Sequence, residues 1–142
     1  MPTDSPVAVV TGANRGIGLE VCRQLADEGY RVVLGSRDLD KGRAAAADLH
    51  TDAVVAGQLD VTDDDSVLAA ASWVADRFGR CDVVVNNAAI DYDTGERAES
   101  ADLDVVREAM ETNLYGAWRT TLAFLPLLRA APHGRIVNVS SG

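Results

Sequence analysis

Short apolar runs alternate with helical stretches along the whole chain. Val7–Val10, Val32–Leu34, Val54–Ala56, Val83–Val85 and Ile136–Val139 are rich in β-branched residues and lack polar alternation. Runs of that kind suit parallel strands covered on both faces. Between them, Ile17, Val21 and Leu25 share one helical face, and Val67, Ala71, Val74 and Phe78 recur at helical spacing. Thr62, just ahead of "DDDSV", is the expected N-cap of the second of these helices, with the aspartates favourably placed at the positive end of its dipole. Ala44–Ala47 is simply good helix. Alternating strands and helices predict an α/β fold, a doubly wound parallel sheet of five strands with flanking helices and right-handed crossovers. No repeat or linker interrupts it, so residues 1–142 read as a single domain.

The stretch from Asp102 to Arg129 breaks the amphipathic rule. Val105, Val106, Met110, Leu114, Ala117, Trp118, Leu122 and Leu125 wrap around more than one face. Such a helix is either deeply buried or packed against another subunit. The first option needs chain to cover it; the second needs a partner, and makes this helix the candidate interface of a homo-oligomer. Tyr115 and Trp118 read as packing residues rather than site residues.

Composition narrows the function. The chain has 142 residues, 47% of them hydrophobic, and can bury a real core. Its formal charge is -9, from 22 acidic and 13 basic residues, which argues against a nucleic-acid partner. Lys41 is the sole lysine; an Asp-rich, Lys-poor surface fits either adaptation to high salt or genomic base composition. Cys22 and Cys81 are too scattered for a disulfide framework or a zinc site and read as buried free thiols. His50 and His133 have no ligand spacing around them, so no metal site is expected. "MPTDSPVAVV" lacks the features of a signal peptide, and no apolar run approaches the roughly 18 residues of a membrane helix. The expectation is a cytoplasmic protein without a membrane partner.

The candidate chemistry lies behind the first strand. Thr11-Gly12-Ala13-Asn14-Arg15-Gly16-Ile17-Gly18 places three glycines between an apolar strand and an amphipathic helix. Glycine allows positive φ and removes the Cβ that would block a ligand from the backbone. The helix N-terminus behind it offers N–H groups and a positive dipole end to a pyrophosphate. Tight turns use glycine too, so the strand-turn-helix context carries the cofactor reading. The spacing is GxxxGxG rather than GxGxxG.

With that motif the chain resembles the short-chain dehydrogenase/reductases, whose cofactor motif is TGxxxGxG. "LDVTD" (Leu59–Asp63) resembles the adenine-contacting segment and points to Asp60 and Val61. "NNAA" (Asn86–Ala89) resembles the NNAG motif after the fourth strand, with Ala89 in place of its glycine. "TNLYG" (Thr112–Gly116) resembles the segment carrying the catalytic Asn, here Asn113. "GRIVNVSSG" (Gly134–Gly142) resembles the fifth strand ending in the catalytic Ser. The wording of "TGANRGIG", "GSRD", "LPLLRA" and "NVSS" is closest to the carbonyl-reductase-like branch. The likeness spans Val7 to Gly142 and implies a Rossmann-like domain. It implies that Gly12, Asn14, Arg15, Gly16, Ile17, Gly18, Ser36, Arg37, Asp60, Val61, Asn86, Asn87 and Ala88 bind the cofactor. Read as residues alone, Asp60 could equally be a turn residue at a helix start, and the two asparagines could cap a loop. Which of Asn86 and Asn87 touches ribose and which ties strands together stays open, as does whether Ala89 is strained.

Residues after the second strand bear on the cofactor. A carboxylate there accepts the 2′-OH of NAD, whereas an arginine accommodates the 2′-phosphate of NADP. Ser36 stands where NAD-preferring relatives carry Asp, and Arg37 follows it. Arg15 adds a second cation facing the same pocket. Asp38 would repel phosphate unless it caps the next helix. The expected cofactor is NADP, with NAD less favoured.

The resemblance implies hydride transfer between NADP(H) and a small carbonyl or alcohol substrate. In that scheme Ser141 holds the substrate oxygen, Asn113 holds a water, and a Tyr-x-x-x-Lys pair completes the set. Ser140 would point away along the strand. No Tyr-x-x-x-Lys occurs in this sequence, whose tyrosines are Tyr30, Tyr92 and Tyr115. The expectations are therefore an NADP-dependent oxidoreductase whose sequence is cut before that motif, a non-catalytic nucleotide-binding module, or a fragment complemented by another chain. The 142 residues alone are expected to be inactive. Ile90–Ser100 is expected to form part of a loop over the pocket; it names no substrate.

Overall fold

A computed structural model describes residues 4–90 and 97–140. Its elements follow in chain order: β1 (Val7–Val10), α1 (Gly16–Asp27), β2 (Arg31–Ser36), α2 (Leu39–Asp48), β3 (Val54–Gln58), α3 (Asp64–Phe78), β4 (Val83–Asn86), α4 (Leu103–Met110), a π-helical turn (Glu111–Gly116), α5 (Ala117–Ala130) and β5 (Arg135–Asn138). The strands form one parallel sheet in the order β3-β2-β1-β4-β5. All five expected strands are present, with ends moved by a residue or two.

Strand periodicity splits the core in two. Val7 and Val9 face α3 and α5, in a cluster with Val67, Val74, Phe78, Phe124 and Leu128. Ala8 and Val10 face the other way, packing with Leu34, Cys22 and Ala45. Each fully buried aliphatic side chain contributes about 1.5–3 kcal/mol. As expected, Cys22 and Cys81 are buried free thiols, and burial pushes both up to about 12.

Three expectations need correction. The N-cap of α3 is Asp63, not Thr62; the Asp63 carboxylate accepts from the N–H groups of Asp65 and Ser66. Helix α1 buries Gly18 and Cys22, and of the expected face Val21 and Leu25 pack partly buried against the core while Ile17 is 65% exposed beside the glycine loop. Strand β5, at one edge of the described sheet, is exposed along its whole length, unlike β3 at the other edge. The long apolar stretch divides as well. Ala109, Gly116, Thr120, Phe124 and Leu128 are buried, while Leu103, Met110, Leu114, Tyr115, Trp118 and Leu122 remain exposed. Tyr115 and Trp118 are thus only about half covered by the described residues.

The strand order reverses between β1 and β4. In open α/β sheets the crevice beyond the carboxyl ends of such a strand pair is where ligands bind. The polypeptide after β1 is Thr11–Gly18, and after β4 it is Asn87–Ile90.

Candidate nucleotide-binding site

The glycine loop is built against the end of β4. Gly12 has φ +57, and a Cβ there would lie 2.7 Å from Ala88 Cα, so both conformation and contact require glycine. Gly18 sits as closely on the Asn87 side chain, where a Cβ would come within 2.5 Å of Nδ2. A Cβ on Gly16 would meet nothing within 4 Å. Two glycines of the motif thus pack the loop, and the third faces open space.

Hydrogen bonds fix this arrangement. The buried Thr11 hydroxyl accepts from the N–H groups of Asn87 (3.0 Å) and Ala88 (2.9 Å). The Asn87 amide donates to the carbonyls of Thr11 (3.2 Å) and Gly12 (3.1 Å). Asn86 faces away: its amide donates to Asn138 Oδ1 (2.9 Å) and Thr121 Oγ1 (3.2 Å), and its own Oδ1 is buried without a partner among the described residues. The open question about the pair is thereby divided by geometry. Asn87 ties the glycine loop, and Asn86 ties β5 and α5. Thr11 was not singled out from the sequence, although it opens the quoted motif; a hydroxyl ending an apolar strand was the available signal.

The start of α1 differs from those of α2, α3 and α4. Asp38, Asp63 and Asp102 cap α2, α3 and α4 with their carboxylates. Arg15 precedes α1 with extended backbone and no side-chain cap. The first turn of α1 keeps its donors for another acceptor.

At the end of β2, Ser36 is 2% exposed and its hydroxyl donates to Asp38 O at 2.7 Å. The side chain shapes the turn and presents no hydroxyl outward. Asp38 Oδ1 accepts from Asp40 N–H (3.0 Å) and Lys41 N–H (3.3 Å). Capping is thus the geometry Asp38 adopts. The guanidinium groups of Arg15 and Arg37 are exposed and make no ion pair or hydrogen bond with the described residues.

Beyond β3, Asp60 Oδ1 accepts from Thr62 N–H (3.0 Å) and Thr62 Oγ1 (2.7 Å), the turn geometry that its sequence position allowed. Val61 is buried, and its carbonyl accepts from Arg119 Nη1 at 2.6 Å. Arg119 also pairs with Asp64 and, at 2.7 Å, with Glu111. It thereby clamps the turn after β3 to the π-helical turn, a role the sequence did not announce. Burial alone would lower the Arg119 pKa; the two carboxylates outweigh it and hold the pKa above the ordinary arginine value.

Asn113 sits in that π-helical turn. Its Oδ1 accepts from Ile90 N–H at 2.9 Å and its Nδ2 donates to Ile90 O at 3.2 Å. Such turns are frequent at functional sites because they break the regular pairing of the helix. Ser141 and most of the 90–100 loop, including Tyr92, lie outside the described residues.

Comparison with known proteins decides the family. The short chain dehydrogenase model matches residues 6–142. The chain belongs to the short-chain dehydrogenase family. A (+)-neomenthol dehydrogenase of Arabidopsis thaliana is 41% identical over 156 residues, covering 94% of this chain and 53% of the relative. A salutaridine reductase of Papaver bracteatum is 37% identical over 166 residues, covering 94% and 53%. Menthone neomenthol reductase from Mentha piperita superposes with a TM-score of 0.88 at 35% identity, over 98% of this chain and 61% of that one. A metagenomic short-chain oxidoreductase in complex with NADP gives a TM-score of 0.86 at 36% identity, over 96% and 62%. This short-chain dehydrogenase sequence spans about half the length of the curated relatives it matches.

Among the described residues, no helix of this short-chain dehydrogenase is long and apolar enough to cross a membrane. Nor does any group of three His, Cys, Asp or Glu side chains gather to hold a metal ion among them.

Proposed function

We propose that this chain is the cofactor-binding part of an NADP(H)-dependent oxidoreductase acting on a small carbonyl or alcohol substrate. One observation carries the reading. Arg15 in the glycine loop and Arg37 after β2 have no partner among the described residues, the helix start behind the loop is uncapped, and Asp38, the carboxylate next to Arg37, is engaged as a helix cap. Open space at Gly16 fits close approach of a diphosphate to the backbone. Arg37 and Arg15 fit a 2′-phosphate, and an arginine fork suits that group. A relative solved with NADP supports the same choice. The two core clusters share the faces of one sheet and draw on strands and helices from Val7 to Leu128, which supports one domain over residues 1–142.

When bound, the cofactor supplies or accepts hydride at its nicotinamide ring. This chain's residues do the holding. Gly12, Asn14, Gly16, Ile17 and Gly18 form the cradle for the diphosphate. Asp60, Val61, Asn87 and Ala88 border the nucleotide, and Asn86 braces β4 from behind. Asn113, fixed on Ile90, orients a water for proton transfer, and the Ser141 hydroxyl holds the substrate oxygen. The names of the relatives support a ketone, aldehyde or secondary alcohol as substrate.

Calorimetric titration with NADPH and NADH tests the cofactor assignment. NADPH is expected to bind at least tenfold more tightly; equal affinities would remove it. In a chain that also carries a Tyr-x-x-x-Lys pair, turnover of a cyclic ketone with NADPH, lost in Ser141→Ala with NADPH affinity retained, would support the reaction class. Unchanged turnover in that variant would exclude Ser141.

A further inference from the structure

The Arg37 guanidinium has no partner among the described residues, while the turn that carries it is tied at Ser36, Arg37 and Asp38. Leu59 N–H donates to Ser36 O at 2.9 Å, and Ser36 Oγ donates to Asp38 O at 2.7 Å. The third tie comes from β3. Gln58 pairs in register with Ser36 across the two strands, and its Nε2 donates to Arg37 O at 3.3 Å. The other end of the same carboxamide is also engaged: Gln58 Oε1 accepts from Ser66 Oγ at 2.7 Å. Ser66 Oγ in turn accepts from Asp60 N–H at 2.8 Å.

These bonds form one directional chain, from Asp60 N–H to Ser66 Oγ, to Gln58 Oε1, and from Gln58 Nε2 to Arg37 O. It joins the turn after β3 to the turn after β2. A carboxamide fits the middle position, since it accepts on one side and donates on the other. A carboxylate could accept from Ser66 but offers no donor to Arg37 O. Methionine, similar in length, does neither.

We propose that Gln58 is a positioning residue for cofactor selectivity: it holds the Arg37 backbone so that the free guanidinium is presented to the 2′-phosphate of NADP. This rests on the NADP reading above and adds the residue that makes Arg37 effective. An arginine on a loose turn must be ordered when the phosphate arrives, and that ordering weakens binding. Gln58 removes part of the cost in advance by fixing the turn through Ser66 and the start of α3. It need not touch the cofactor.

The test compares two fragments by calorimetry on the purified protein, adenosine 2′,5′-bisphosphate and adenosine 5′-monophosphate. They differ only in the 2′-phosphate, so general loosening of the site weakens both alike. Gln58→Met is expected to weaken the bisphosphate by roughly threefold to tenfold, the worth of one hydrogen bond, and the monophosphate by less than twofold. Ser66→Ala removes the anchor of Gln58 but keeps its donor, and should shift the ratio the same way by a smaller factor. It also provides the measurement should Gln58→Met fold poorly. An unchanged ratio in these variants overturns the proposal. Arg37→Ala separates the two levels of argument. If it leaves the fragments' affinity ratio untouched, the NADP reading fails and this inference falls with it. If it collapses the ratio while the Gln58 and Ser66 variants do not, only the positioning role of Gln58 is lost.

Discussion

At its amino end β1 is pinned by charge. Val7 N–H donates to Asp82 Oδ2 at 2.8 Å, and Arg80 closes on the same carboxylate at 2.6 and 2.8 Å. At its carboxyl end β1 is held by neutral groups only, the Thr11 hydroxyl and the Asn87 amide. The cations near that end, Arg15 and Arg37, have no partner among the described residues. The two ends share a strand and a core yet differ in what is left over. Where charges are satisfied internally, the structure stabilises itself. Where the backbone is fixed by neutral bonds and the charges are unpaired, it is prepared for an anion.

The largest expected effect falls on the carboxyl end. Gly12→Ala places a Cβ 2.7 Å from the Ala88 backbone at φ +57, combining backbone strain with overpacking. About 4 kcal/mol of stability should be lost, read as a lowered urea midpoint. Gly16→Ala has space around it and should lose only about 1 kcal/mol to its conformation. Similar losses in the two variants would mean that the loop is not packed on β4 as described.

Next comes the amino end. Asp82→Ala removes the acceptor of the Val7 N–H and the carboxylate that Arg80 closes on, and should cost about 3 kcal/mol with NADPH affinity unchanged. A matching fall in affinity would mean that the two ends do not separate function from stability. The mirror variant is Arg37→Ala. It should leave the urea midpoint within about 0.5 kcal/mol of wild type and weaken NADPH by about tenfold to a hundredfold. NADH binding should barely change.

The sequence revealed the two ends unequally. Strand runs, glycine loop and switch point follow from local patterns, because β-branched runs and glycine spacing act within a few residues. Val67, Ala71, Val74 and Phe78 were legible as core from their helical spacing, which is local too. The ties were not. Thr11 reaches Asn87 across 76 positions, Arg119 reaches Val61 across 58, and Gln58 reaches Arg37 across 21. Such bonds depend on which strands lie side by side, and no local period encodes that. The errors have the same origin. Ile17 shares a helical face with Val21 and Leu25, which pack on the core, but the tight approach of Gly18 to Asn87 leaves Ile17 itself outside. Thr62 lost the cap to Asp63 because its hydroxyl donates to Asp60 instead.

The smallest effect, in pH dependence, gives the sharpest separation of the two ends. Burial alone would raise the Asp82 pKa; the Arg80 hydrogen bonds and the Val7 N–H outweigh it and hold the carboxyl below the usual range. A depressed folded pKa gives stability that is fully present above the unfolded value of about 3.9. That stability is lost as pH falls through the folded value. The gap between wild type and Asp82→Asn should therefore be constant from neutral pH to about pH 5 and close below about pH 4. Thr11→Val removes a hydroxyl that accepts two backbone N–H groups and should cost about 1–2 kcal/mol. No group in that tie titrates, so the cost should be the same at pH 3.5 as at pH 7. Urea titrations of both variants at the two pH values decide it. A Thr11→Val penalty that also fades in acid would mean that charge holds the carboxyl end too, and the contrast between the two ends of β1 would be gone.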